Sequence, residues 1–143
     1  ITETYFKAPG DDVYANGPVS YLQLDVLPDG ADYSPIIAAL KNGNYFVTSG
    51  EVLIPEHTFS FSGADSTLRA NLQWTFPLEF VEIVTGDGET TQTTIVNAAE
   101  LQAFGDQSFS IPFDASGQRW ERFAAWDTAG NGAMTMPIRI PAP

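Results

Sequence analysis

Leu68-Arg69-Ala70-Asn71-Leu72-Gln73-Trp74-Thr75-Phe76 is the stretch on which the reading of the fold turns. Its apolar residues (Leu68, Ala70, Leu72, Trp74, Phe76) alternate strictly with Arg69, Asn71, Gln73 and Thr75. Successive side chains of a strand point to opposite faces, so this segment presents one apolar and one polar face, the pattern of a half-buried strand. Three further segments follow the rule. Phe59 and Phe61 alternate with Thr58, Ser60 and Ser62, and Phe109, Ile111 and Phe113 alternate with Ser108 and Ser110. Met134, Met136, Ile138 and Ile140 alternate with Thr135, Pro137 and Arg139, and Pro137 marks that strand as an edge because it has no N–H for a ladder.

In Tyr21 to Val26 the apolar set is Leu22, Leu24 and Val26. Leu78 to Val84 and Trp120 to Trp126 carry apolar residues on both parities, which places them in the interior of a sheet or beneath a covering layer. One segment reads as helix. Ser34 is an N-cap candidate with Pro35 at the first helical position; Ile36, Ile37 and Leu40 form an apolar stripe, and Asn42-Gly43 stops it. Thr85 to Glu89 and Asp127 to Gly132 have hairpin-loop composition. Together these elements predict an all-β fold: an antiparallel β-sandwich, immunoglobulin-like or jelly-roll-like, with one short helix at about 34–42. Its expected core includes Leu68, Leu72, Trp74, Phe109, Ile111, Phe113, Met136 and Ile138.

The 143 residues make one domain, with no repeat or linker to divide residues 1–143. At 43% hydrophobic and 17% charged residues the chain is folded rather than disordered. Its net charge of −12 repels phosphate backbones and anionic lipid, so neither nucleic acid nor a membrane surface is an expected partner. With no Cys, thiolate metal centres are excluded; one His nearly removes a His-built metal centre, and a Ser-His-Asp triad could run only through His57. No window is apolar enough to read as a membrane helix, and no signal peptide is visible; beginning at Ile1 rather than Met, the chain reads as a processed or excised piece.

Asp11-Asp12, Asp87-Gly88-Glu89 and Asp127 to Asn131 offer the oxygen ligands calcium prefers, but without EF-hand spacing. Asp and Asn hold turns through their own backbone bonds, so no cofactor is expected, with a structural calcium as the lesser alternative. Glu79 and Glu82 have opposite parity and cannot face one another across a cleft; Glu51 and Glu56 flank Pro55 without a readable direction. Ser49-Gly50-Glu51 does not form a nucleophile elbow. No catalytic residue is therefore assigned. Trp120, Arg122 and Trp126 share a parity, with Ala124 leaving room between the indoles. That places them as the candidate ligand-binding residues, a platform for a neutral glycan, against the alternative that both indoles are core and Arg122 reaches an acid such as Asp127.

The stretch DYSPIIAALKNGNYFVTSGEVLIP at 32–55 resembles part of the PHP-domain metallohydrolases of the CehA/McbA type, and LQWTFPLEF at 72–80 and WDTAGNGAMTMP at 126–137 are similar to later parts of the same proteins. The resemblance covers roughly residues 14 to 140, all C-terminal to that family's active site. Its His-x-His and Asp-x-His metal motifs have no counterpart here, so no catalytic residue carries over. The resemblance implies a non-catalytic accessory sandwich of a larger secreted or periplasmic hydrolase, packed against its own catalytic domain, with Ser34 to Asn42 as the last helix of the barrel. It leaves an autonomous carbohydrate-binding module as the alternative. The accessory role implies an uncovered apolar patch where the barrel would sit.

Overall fold

A computed structural model describes residues 17–98 and 101–141. They form two antiparallel sheets packed face to face, the expected all-β sandwich. In chain order the elements are β1 (Val19–Leu22), α1 (Ser34–Asn42), β2 (Tyr45–Thr48), β3 (Val52–Ser60), a 3-10 turn (Gly63–Asp65), β4 (Ser66–Trp74), β5 (Leu78–Gly86), β6 (Thr91–Asn97), β7 (Gly105–Phe113), β8 (Trp120–Asp127), β9 (Gly132–Thr135) and β10 (Ile138–Arg139). The larger sheet runs β1-β2-β9-β8-β5-β6, with β10 also paired to β8; the smaller runs β3-β4-β7.

The alternating stretch is β4, the middle strand of the smaller sheet. Leu68, Ala70, Leu72 and Trp74 enter the core, while Arg69 faces solvent. Phe76 lies past the strand end and is exposed. Ile111 and Phe113 join them from β7, with Phe109 packed at the margin. The larger sheet supplies Phe46, Val81, Ile83, Phe123, Ala125 and Ala133. β5 and β8, apolar on both parities, are interior strands as their composition requires. Both hairpin loops are where they were expected, joining β5 to β6 and β8 to β9.

Three expectations about the strands need correction. In β9 the inward residues are Ala133 and Thr135, not the methionines: Met134 and Met136 are half-buried, and Met134 pairs with Ala124 on the outer face. On this inward side Thr135 Oγ1 accepts a bond from the Phe123 N–H at 3.0 Å, tying β9 to its antiparallel neighbour β8. The strand is also interior over Ala133–Thr135, between β2 and β8; the chain breaks around Pro137 and resumes as β10, paired to β8 alone. Ile138 is accordingly only half-buried, although Ile140 returns to the core. The first strand is Val19–Leu22; the chain then leaves the sheet, so Val26 is exposed.

Helix α1 has the expected bounds, and Gly43 closes it in the left-handed conformation at φ 74°, bonding back to Ala39 and Leu40 carbonyls. Its N-terminus differs in detail: Ser34 is the first helical residue rather than the cap, Tyr33 holds the N-cap position without a side-chain bond, and Asp32 accepts the Ser34 N–H and Oγ–H at 2.8 Å each. Its apolar stripe is not buried. Ala39 alone is, whereas Ile37 and Leu40 face outward.

All three tryptophans stand opposite a glycine of the neighbouring strand: Trp74 opposite Gly105, Trp120 opposite Gly86, Trp126 opposite Gly132. A Cβ on Gly86 would fall 2.5 Å from Cε2 and Cζ2 of Trp120, and the other two glycines are covered by their indoles in the same way. A missing side chain on one strand makes room for the largest one on the next. Trp74 is closed in, its Nε1–H donating to the Gln102 carbonyl at 2.7 Å. Trp74→Ala is expected to cost roughly 3–5 kcal/mol, as for other buried aromatics, and Gly105→Ala about 1–3 kcal/mol by overpacking the same spot. Urea unfolding measures both; a loss under about 1 kcal/mol for Trp74→Ala would place that indole at the surface.

Candidate functional site

Strand β8 divides its side chains cleanly. Glu121, Phe123, Ala125 and Asp127 are buried between the sheets; Trp120, Arg122 and Trp126 lie half-buried on the outer face of the larger sheet. The three candidate residues therefore share one solvent-facing side, and the arrangement with both indoles in the core does not hold. Two details depart from a simple row. The indoles turn different ways, Trp120 over Gly86 in β5 and Trp126 over Gly132 in β9. Ala124 leaves no gap between them, because it is 0% exposed beneath its neighbours. Trp126 is pinned by its Nε1–H, which donates to Glu82 Oε1 at 3.1 Å. Arg122 rests against Met134, with Nη1 3.8 Å from the sulfur, and its Nε is buried without a partner.

Phe80 and Val84 of β5 pair with Trp126 and Arg122, so aromatic and aliphatic surface continues across the strands. The outer face of the smaller sheet is different in kind. Glu56, Thr58, Arg69, Asn71, Ser108 and Ser110 line it, a polar surface of the ordinary solvated type. A cleft of about 540 Å³ opens at one end of the sandwich between the 3-10 turn and Ile140-Pro141, lined by Phe61, Ala115, Gln118 and Arg119 among others.

The acidic loops are held by their own donors. Asp87 accepts the Glu89 and Thr90 N–H groups at 2.8 and 2.7 Å and the Thr90 hydroxyl, and these bonds pull its carboxyl down to about 2. Asp127 accepts the Ala129 and Asn131 N–H groups and the Asn131 amide, and it points away from Arg122. Asp11 and Asp12 lie outside the described residues. Among the described residues no three His, Asp or Glu side chains gather as metal ligands. His57 packs edge-on against Phe59, its Nδ1 buried and unpartnered, and burial lowers its pKa. Glu79 is exposed and Glu82 is bonded to Trp126, so these acids serve no common cleft.

One charged group escaped the sequence reading. Glu121 is 0% exposed, neither carboxyl oxygen has a partner, and burial pushes its pKa up to about 9. Its parity with Phe123 and Ala125 is the signal that could have found it. A carboxyl protonated in the fold and ionised in the unfolded chain makes stability full below about 4.5 and progressively lower as pH rises toward about 9. The fall should approach about 1.4 kcal/mol per pH unit in that window. Glu121→Gln should flatten the profile in urea unfolding between pH 5 and 9, and an unchanged slope would contradict the burial of an ionisable carboxyl. Compared with known proteins, the chain matches no family model, no curated protein and no solved structure.

Proposed function

We propose that this chain is a non-catalytic accessory sandwich of a larger secreted hydrolase, and that it docks on its neighbouring domain through the β1–α1 segment. The observation that carries this reading is where the uncovered apolar side chains are. Leu27 is 83% exposed and Val26 72%, and Tyr33, Ile37 and Leu40 are exposed further along the same segment. α1 turns its apolar stripe outward, against the burial such a stripe is built for. Each large apolar side chain that a partner covers contributes about 1.5–3 kcal/mol, enough for a handful to hold two domains together. The chemistry of the partner surface is therefore apolar.

A second reading has its own observation. Trp120 and Trp126 are half-exposed on the outer face with Arg122 between them, the side chains that stack on and bond to a neutral pyranose. The residues that carry the two readings are separate, so the tests do not overlap.

Ile37→Glu with Leu40→Glu should leave the isolated chain's stability nearly unchanged, within about 0.5 kcal/mol each as for surface positions. In the longer protein the same pair should free the sandwich, seen as new hydrogen exchange at residues 24–40. Unfolding of the isolated double variant would mean that α1 is packed within this domain, and the docking reading would fail. For the second reading, calorimetric titration with neutral oligosaccharides should give heat that Trp120→Ala and Trp126→Ala each abolish; no heat with the unsubstituted chain removes it.

A further inference from the structure

We propose that β6 is an open pairing edge through which two copies of this chain join, antiparallel, into one continuous sheet. Among the described residues the larger sheet ends at β6, and all seven residues of Thr91–Asn97 are exposed. Natural edge strands are blunted by shortness, charge, proline or bulges. Among the described strands, β1, β3 and β7 also lie at sheet edges, and each is blunted in one of those ways. β1 has four residues and follows Pro18. β3 contains Pro55 and a register shift between Leu53 and Glu56. β7 carries Asp106 and Pro112. β6 has none of them: its register with β5 is unbroken, and no charged residue or proline occurs from Thr90 to Ala99 in a chain of net charge −12.

The backbone groups on offer can be named. The Thr90 carbonyl accepts from the Asp87 N–H, and the Ala98 N–H donates to the Glu79 carbonyl, so the even-numbered residues of this strand bond toward β5. Alternate residues of a strand direct their N–H and C=O to opposite sides. Thr91, Thr93 and Ile95 therefore present theirs to the open edge.

A second copy fits this edge because the strand complements itself. With Thr94 opposite Thr94 of the partner subunit, Thr93 stands opposite Ile95 of the partner subunit on the same face. Those are β-branched and Thr–Thr pairs, which favour cross-strand association, and no like charges meet along the strand. The pairing is isologous, so it consumes both edges and closes at two copies. A single strand pair buries less than a standard interface, so the dimer is weak and forms only at high concentration. Because each copy carries −12, association should strengthen with salt, opposite to a contact made by charge attraction.

Sedimentation velocity over a wide concentration range, at low and at high salt, tests this on the chain as it stands. The expected result is a monomer–dimer equilibrium that shifts toward dimer with salt. Thr93→Pro removes an outward N–H without touching the β5 ladder and should leave a folded monomer; Ile95→Lys, which places like charges near the pairing seam, should do the same if the proline variant folds poorly. A chain that stays monomeric at millimolar concentration overturns the proposal, whether its β6 amides exchange freely or are protected by another segment. A dimer that survives both folded variants, or growth into fibres rather than a closed pair, also overturns it.

Discussion

Indole on glycine is the packing relation on which the sandwich depends. A strand pair brings directly opposed Cβ atoms to about 5 Å, too close for a ring to lie across the neighbouring backbone unless that neighbour has no side chain. Gly105, Gly86 and Gly132 meet that condition for Trp74, Trp120 and Trp126. The first pair closes the core of the smaller sheet. The other two hold the facing of β8, because turning that strand over would drive two indoles into the interior and leave two bare glycines outside.

Several features follow from the facing of β8. Phe123 and Ala125 fill the space between the sheets, and Glu121, on their side, is buried with them. The cost of that carboxyl is a proton retained into the alkaline range. On the other side Arg122, Phe80, Val84 and Met134 make an outer face unlike the polar one across the sandwich. The indole strip and the β1–α1 segment are two separate uncovered apolar surfaces, and they carry the two partner readings proposed above.

The fold was readable where one face is core and the other is water. β4 and β7 alternate cleanly, because the smaller sheet's outer face is polar. Gly43 and Pro35 bracket α1 through backbone constraints that need no tertiary knowledge. Reading failed where both faces are apolar. Around β9 the larger Met134 and Met136 read as inward, while Ala133 and Thr135 are the residues that face the core. β8 could be seen to be two-sided, but its facing depends on glycines in strands distant along the chain, which a local pattern does not contain. The shared parity of Trp120, Arg122 and Trp126 was legible; the divergence of their rings and the closure over Ala124 were not, because they depend on β5 and β9. Glu121 was missed because an acid among aromatics is ordinarily taken as solvent-facing. β6 was missed because TQTTIVN has no amphipathic alternation to detect.

The facing of β8 can be measured directly. In three variants that each retain one tryptophan, with the other two replaced by phenylalanine, acrylamide quenching reports the access of each indole. The structure requires Trp74 to be shielded while Trp120 and Trp126 are both quenched to an intermediate degree. If Trp120 and Trp126 are as shielded as Trp74 in the folded single-tryptophan chains, β8 faces the other way, and the outer strip, the buried Glu121 and the proposed glycan surface fall together.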